Sequence, residues 1–470
     1  MPIAPLSLVS PPLFNAADIH AIDRSWANAH PDHSLMERAG AAAAELAGRL
    51  ASESGEPVLI LAGPGNNGGD ALVAARHLAA HGARVVVVSR ADPARLPPDA
   101  ARAWAAWREN GGTVLPDIPP SQRYGLVVDG LFGVGLTRDV TGTEARWVEQ
   151  ANALPCPRLA LDVPSGLDSD CGTIRGCAVR AGHTLTFLGL KPGLLTADGP
   201  DYAGELHLDT LGADPSRMPV PAGRALTQLE DRHRLPARAR NSHKGLYGHV
   251  GIIGGDTGMV GASLISGRAA LQHGAGRVTL GVLDERIAVD YCEPRLMFAD
   301  PDRLATAPLD VLAIGPGLGQ GTRAYTVLNA ALLASCPLVL DADALNLLAG
   351  HPELAGLTAR RIPPTVITPH PGEAARLLDV SGAAIQANRI EAARRLSQIY
   401  HAEVALKGAG TVIAHPDGHY AINTTGGPWL AQAGSGDRLT GMVAALLGQG
   451  MAAGDALEAA VWLHGRAHEA

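Results

Sequence analysis

The chain is organised by one recurring unit: a short, wholly apolar run, a glycine-rich loop, then a helical pattern. Residues 58–62 (VLILA) lead into GPGNNGGD and on to ALVAARHLAAHG; residues 84–89 (RVVVVS), 125–129 (GLVVD) and 158–162 (RLALD) continue the series. An apolar run without alternation is buried on both faces, which demands a parallel sheet covered by helices on either side. In such sheets the ligand crevice lies at the carboxyl ends of the strands, so the loops after these runs are the expected binding surfaces.

The rhythm lapses between Leu211 and Lys244, in a stretch rich in Pro, Arg and polar residues, and then restarts. Strands are expected at 249–253, 277–282, 311–314, 338–340 and 366–368, and a helix at 261–273. Three short runs (404–407, 411–414, 419–422) lie close together and are read as an antiparallel edge. At 470 residues the chain is about three times a single-domain length. The expected division is a first domain over 1–220, a linker over 221–240 and a second domain over 241–470. Both are expected to be α/β, with parallel sheets covered by helices. The chain stops at HGRAHEA inside a helical pattern, so a terminal piece is expected to be missing.

Aromatic residues make up only 4% of the chain, which leaves the cores to Ala, Val, Leu and Ile and argues against base-stacking surfaces. The net charge of −8 offers no general attraction for nucleic acid or an anionic membrane. Any phosphate-bearing ligand must therefore be held by helix N-termini and single cations. Cys156, Cys171, Cys177, Cys292 and Cys336 form no CxxC pair and read as reduced thiols in a cytoplasmic protein. The opening MPIAPLSLVSPPLF has no basic segment before an apolar one, and no apolar run approaches a membrane span.

In GPGNNGGD, glycines 63, 65, 68 and 69 let backbone N–H groups approach a ligand, and Asp70 is expected at or just inside the helix start. The residues alone also read as an ordinary strand-to-helix turn capped by Asp70; the two asparagines favour a binding loop. Asp129 precedes a second glycine loop with Arg138, and Asp162 precedes VPSGLD with Ser165. Their oxygens form a set for a hard cation, although either aspartate alone reads equally well as a loop cap. In order, PGNNGGD…VAARHL, D-x-LFGVGL, DVPSGLD and TLTFLGLKPG, with SLMERAG before them, resemble the NAD(P)H-hydrate epimerases over residues 17–212. The resemblance implies a Rossmann-like three-layer αβα domain that epimerises hydrated NAD(P)H with a bound K⁺. By it, Asn67, Asp129 and Ser165 hold K⁺, with Asn66 a weaker claim. Asn66, Asn67, Gly68, Gly69 and Asp70, with Gly133, Val134, Gly135, Leu136, Thr137, Arg138, Asp139 and Asp162, contact the hydrate. Asp162 is the proton-transfer residue, a strand-end carboxylate in a crevice. Two small residues depart from the pattern: Ala71 where Gly is frequent, and Gly130 where Ala is.

In the second half, AGSGDRLTG places small residues before a helix whose first turn carries Asp437, a phosphate-gathering geometry with a carboxylate to accept a proton. Asp437 also reads simply as an acidic residue well placed in the helix dipole. LKGAGTVIAHPDG reads as a hairpin whose Lys407 and Thr411 reach a nucleotide phosphate. His370, between two prolines after a strand, reads as ligand-facing. With NSHKGLYGHVGIIGGDTGMVGA, GPGLG, LDADALN, TPHPGE, LKGAGT and GSGD, residues 241 onward resemble the ribokinase-like superfamily and, within it, the ADP-dependent NAD(P)H-hydrate dehydratases. That resemblance implies a ribokinase-like fold, ADP as co-substrate and Mg²⁺. It implies Ala262, Gly317, His370 and Asp437 at the hydrate, Lys407, Gly408, Ala409, Gly410, Thr411 and Gly436 at the nucleotide, and Asp437 as base. At 427–431 the chain reads GPWLA where relatives have NPGMA.

The two resemblances together imply a fused repair enzyme for NADHX and NADPHX, a homo-oligomer with no nucleic-acid or membrane partner. The alternatives are a ribokinase-like kinase of a hydroxymethylpyrimidine-type alcohol, which leaves GPGNNGGD and DVPSGLD unexplained, and a non-catalytic nucleotide-binding scaffold.

Overall fold

The computed structural model describes residues 10–30, 34–51, 55–235 and 237–467. Residues 1–9 of the stretch read for a leader, residue 236 of the expected linker and residues 468–470 of the terminal pattern lie outside them. The chain divides into two compact units, residues 1–223 and 224–470.

In the first unit, β1 (Pro12–Leu13) runs into Phe14, whose N–H donates to Leu190 O. The sheet proper comprises β2 (Val58–Ala62), β3 (Val85–Val88), β4 (Leu126–Gly130), β5 (Arg158–Leu161), β6 (His183–Phe187) and β7 (Glu205–Asp209), in the order β3-β2-β4-β5-β6-β7. All neighbours pair parallel. Successive residues of β2 and β4 enter different cores. Val58, Ile60, Leu126 and Val128 pack with the helices Leu35–Ala51 and Asn66–Ala80, whereas Leu59, Leu61 and Val127 pack with Trp147 and Val148 of the helix Gly142–Ala153. Two covered faces are what unbroken apolar strands require, and each fully buried Leu or Ile contributes about 1.5–3 kcal/mol. The unit is the expected three-layer α/β sandwich.

The two small departures prove to be partners. A Cβ at Gly130 would stand 2.5 Å from the Cβ of Ala71 and 3.0 Å from Asn67 O, so the methyl on the helix occupies the space a methyl on the strand would need. Gly130→Ala is expected to cost about 1–3 kcal/mol in urea denaturation, from overpacking. The same change in an Ala71→Gly background is expected to cost at least ~1 kcal/mol less, a coupling that a double-mutant cycle reads directly.

The second unit holds β8 (Gly223–Leu226), β9 (His249–Gly254), β10 (Arg277–Val282), β11 (Met297–Ala299), β12 (Val311–Ile314), β13 (Leu338–Leu340), β14 (Thr365–Ile367), β15 (Glu403–Leu406), β16 (Val412–Ala414) and β17 (Tyr420–Asn423). Their order is β8-β17-β16-β15-β14-β13-β12-β9-β10-β11. β9 to β15 pair parallel, while β15, β16 and β17 pair antiparallel. The helices Ser435–Gly448 and Ala453–Arg466 fill one face against Val250, Ile252, Val311 and Val339.

The antiparallel strands are therefore not the edge, as expected, and the segment 221–240 is not a bare linker. β8 lies outside β17, where Leu226 O accepts from Thr424 N and Oγ1 at 3.3 and 3.0 Å. A four-residue strand between Pro/Gly stretches has no periodicity to betray it. The residues after β8 are tied in by charge. Glu458, fully buried, meets Arg224, Arg232 (3.1 Å), His233 (2.8 Å) and His415 (2.8 Å). His415 also bonds Glu403 at 2.6 Å. Burial opposes the charge on His415, but its bonds to Glu403 and Glu458 outweigh burial and push its pKa up to about 9. A folded pKa above the unfolded value stabilises fully below pH ~6.5, and this contribution is lost as pH rises through ~9. Stability is expected to fall by on the order of 3 kcal/mol over that window. Urea titrations at pH 6.5 and 9.5 check this, and His415→Gln should flatten the difference.

Candidate active sites

In the first unit, the carboxyl ends of β2, β4, β5 and β6 open on a cavity of about 490 Å³, within the ordinary range of small-molecule sites. The helix after β2 begins at Asn66, with Gly65 as an N-cap that contributes no side-chain bond. Asp70 is thus not the cap; it lies in the second turn and faces the cavity. Of the expected contact residues, Asn66, Asn67, Asp70, Gly133, Val134, Gly135, Leu136, Thr137, Arg138 and Asp162 line the cavity, and Asp139 does not. Gly68 and Gly69 do not line it either. A Cβ on Gly68 would collide with Gly63 O, and one on Gly69 would stand 2.5 Å from Met36 Cε, so both glycines serve close packing. His20 and Asp23, from the helix Ala16–Ala29, also line the cavity, without any signal in the sequence.

Asp129 is fully buried at the end of β4. Its Oδ1 accepts from Ser165 Oγ (2.6 Å) and Leu131 N (3.2 Å), and its Oδ2 from Ser165 N (2.8 Å). Burial pushes Asp129 up to about 6 despite these bonds. Asn67 is also buried, and neither Oδ1 nor Nδ2 of its amide meets a hydrogen-bond partner. An orphaned buried amide costs about 1–3 kcal/mol, unless an occupant of the site meets it. With only oxygens among carboxylate, hydroxyl and amide carbonyl, Asn67, Asp129 and Ser165 fit a hard monocation such as K⁺.

Asp162 follows β5 with φ of 66°, a left-handed conformation costing about 1–3 kcal/mol for a residue with a side chain. The carboxylate is held from both sides. Oδ2 accepts from Val134 N at 3.3 Å, and Oδ1 pairs with Lys191 Nζ. Lys191 is wholly buried and also donates to Thr186 Oγ1 (2.9 Å) and Phe187 O (2.7 Å). Burial draws the Lys191 ammonium down, against the pull of Asp162. Burial, with Asp162 and Asp23 nearby, pushes Asp70 well above the usual carboxylate range. Sequence reasoning passed over Lys191; its signal was a lysine inside TLTFLGLKPG, where an apolar strand end has no other use for a charge.

In the second unit, the helix Ser435–Gly448 starts behind Gly434, whose φ is 86°, and carries Asp437 in its first turn. Burial and the neighbouring Asp341 push Asp437 up to about 6, against Lys407. Lys407 lies behind that carboxylate rather than in the open loop. Nζ donates to Asp341 Oδ1 at 2.8 Å and stands 3.9 Å from Glu373; Asp341 Oδ2 accepts from Thr440 Oγ1 at 2.7 Å. Burial works against the charge on Lys407, but Asp341, Glu373 and Asp437 raise its pKa overall. The expected reach to a nucleotide phosphate therefore competes with a bond already made, and Thr411 Oγ1 is likewise turned to Gly408 O at 3.1 Å. Gly408 (φ 142°) and Gly410 (φ 57°) shape the turn between β15 and β16 around Ala409. A Cβ on Gly436 would stand 3.2 Å from Lys407 Nζ, so that glycine keeps the gap between lysine and helix open.

His370 is exposed but not simply ligand-facing. Its Nδ1 accepts from Gly372 N (2.9 Å) and Glu373 N (3.4 Å) while Glu373 accepts from His370 N (2.7 Å), a capping box for the helix Pro371–Leu378. With Nδ1 accepting, a neutral ring carries its proton on Nε2, which lies 3.3 Å from Glu373 Oε1. Burial, then Lys407 and Arg376, lower its pKa and favour that neutral form. A Cβ on Gly317 (φ 59°) would stand 3.3 Å from the Cβ of Ala262. Ser266 Oγ lies 3.0 Å from Ala262 O and 2.8 Å from Asp437 O, which joins these walls. Asp341 and Glu373 were the residues missed, although LDADALN and TPHPGE contained them.

Comparison with known proteins agrees with this division. A family profile described as YjeF-related protein N-terminus matches residues 32–193, and one described as NAD(P)H-hydrate dehydratase matches residues 250–470. The bifunctional NAD(P)H-hydrate repair enzyme of Escherichia coli (strain K12) is 41% identical over 445 residues, covering 93% of this chain and 84% of that protein. Its counterpart in Moorella thermoacetica is 38% identical over 491 residues, covering 97% and 91%. A solved ADP/ATP-dependent NAD(P)H-hydrate dehydratase from Bacillus subtilis, co-crystallised with ATP and Mg²⁺, is 34% identical over 51% of this chain and 86% of its own, with a TM-score of 0.45. The chain belongs to the family of bifunctional NAD(P)H-hydrate repair enzymes, with an epimerase part preceding a dehydratase part.

Proposed function

We propose that residues 1–223 interconvert the R and S epimers of NADHX and NADPHX. Residues 224–470 then use ADP to return the S epimer to NAD(P)H, releasing AMP and phosphate. One observation supports both halves: each unit sets an aspartate beside a lysine, Asp162 with the fully buried Lys191 and Asp437 with the partly buried Lys407 and its partner Asp341. In the first unit, Asp162 takes the proton of the hydroxyl on the hydrated ring carbon as the bond from that carbon to the ring nitrogen opens, its electron pair passing to the nitrogen and leaving a carbonyl; reclosure on the other face returns the proton, and Lys191, too buried to touch substrate, holds Asp162 in place. Asn67, Asp129 and Ser165 would hold K⁺, which supplies a fixed positive charge beside the bound hydrate.

In the second unit, the start of the helix Ser435–Gly448 receives the phosphates at its free N–H groups. Asp437 removes the proton of the ring hydroxyl as it attacks the terminal phosphorus of ADP. The P–O bond to AMP breaks; the phosphate of the resulting ester then leaves with the electron pair of the C–O bond, pushed by the ring nitrogen, and loss of a proton from the neighbouring ring carbon restores the double bond of NAD(P)H. A phosphate leaves far more readily than hydroxide. Asp341 is already bonded to Lys407 and Thr440, so the described residues offer no ready oxygen cage, and Mg²⁺ would arrive on the nucleotide phosphates. Five free cysteines support a reducing, cytoplasmic setting, and no described helix is long and apolar enough to cross a membrane. The test is separate supply of each epimer. The R form without nucleotide should yield the S form, and the S form with ADP should yield NADH with one phosphate each; failure of either conversion refutes that half.

A further inference from the structure

At the opposite end of the first sheet from the cavity, two histidines and a glutamate converge. β6 and β7 run parallel with His183 opposite Glu205 and Leu185 opposite His207. Glu205 and His207 are two apart on one strand, so they share a sheet face with each other. His183 Nδ1 lies 3.3 Å from His207 Nε2 and 3.4 Å from Glu205 Oε2, and all three ligand atoms lie within 4.8 Å of one another. A tetrahedral zinc ion with bonds of ~2.0–2.1 Å separates its ligand atoms by about 3.3–3.4 Å, the length of a tetrahedron edge. Two of the three edges already have that length.

The geometry points to a Zn²⁺ site formed by His183, Glu205 and His207, with a fourth position open to water. The ligand chemistry suits a first-row divalent ion: two imidazoles and a carboxylate, with His207 buried and Glu205 near solvent. The site differs from the oxygen-only set at Asn67, Asp129 and Ser165 in both donor type and place. His183 begins β6, and Phe187, where the strand meets the catalytic cavity, lies about 13 Å further along. A metal here clamps β7, the edge strand of this sheet, onto β6, and acts on stability rather than on chemistry.

Calorimetric titration of Zn²⁺ into the full-length, tag-free protein tests this. One equivalent should bind with a dissociation constant in the micromolar range or below and raise the melting temperature. His183→Gln and Glu205→Gln, both at partly exposed positions, should each weaken binding by at least about tenfold and abolish the rise. Epimerase activity should be unchanged in both. Co²⁺ in place of zinc should give the intense visible bands of a tetrahedral ion in the wild-type protein alone. The site is refuted if no zinc binds or if both variants bind it as the wild type does; in either case the histidines share only a proton. A weak, octahedral cobalt spectrum equally overturns the geometry.

Discussion

Asp437→Asn is expected to lower ADP-dependent dehydration of the S epimer by about 10²–10⁴-fold, the usual worth of a positioned general base. The amide keeps the size of the carboxylate and the N–H groups of the first helical turn stay in place, so ADP affinity should change little. Epimerisation, which depends on the other unit, should not change at all. The same carboxyl is expected to give the reaction its pH dependence. Held up at about 6 by burial and by Asp341, Asp437 is an effective base only once ionised. The rate should therefore rise with pH through about 6 and level off above it. Steady-state rates on purified S epimer, with ADP binding measured by calorimetry, separate the lost base from a lost site. A pH profile flat from 5 to 8 would deny Asp437 the role.

Asp162→Asn is expected to reduce epimerisation by a similar ~10²–10⁴-fold while leaving dehydration of the S epimer intact. The substitution removes the proton acceptor and also leaves Lys191 buried against a neutral partner. An unpaired buried cation costs several kcal/mol or sheds its proton, so this variant should also be less stable than the wild type. Lys191→Met distinguishes the two contributions. It removes the cation but keeps the carboxylate, and should lower kcat with little change in KM, because Lys191 acts on Asp162 and not on substrate. Rates of R-to-S conversion without nucleotide check both.

The strands with continuous apolar runs were legible to within about a residue, because burial on both faces leaves a sequence no freedom to be polar. The edges were not. β7, β8 and β11 (ELHLD, GRAL, MFA) are short and mix polar with apolar residues, since a strand at or near a sheet edge is only partly covered. The helix start at Asn66 was also hidden. Asn and Gly disfavour helix, yet Gly68 against Gly63 and Gly69 against Met36 permit a contact that no larger residue allows, and packing overrides propensity.

Much the same divides the two sites. Single residues at strand ends, such as Asp129 and Asp162, or in a first helical turn, such as Asp437, announced themselves by position. Their partners did not, because the pairing of Asp162 with Lys191 or of Asp341 with Lys407 joins residues 29 and 66 apart, and only the fold brings them together. Lys407 stood out in LKGAGT, but nothing in that stretch says that Asp341 lies beside it. The N-cap role of His370 was passed over: TPHPGE contains the N-cap and the N3 glutamate of a capping box, and that use of Nδ1 is local.

The account stands on two centres acting in sequence on one chain. It is tested most directly by the reduced-nicotinamide absorbance recovered from a mixture of R and S NADHX with excess ADP. The wild type should restore all of the NADH, Asp162→Asn should restore the S share and then slow sharply, and Asp437→Asn should restore almost none. No recovery by the wild type, with phosphate passed instead to an alcohol such as a hydroxymethylpyrimidine, would contradict it.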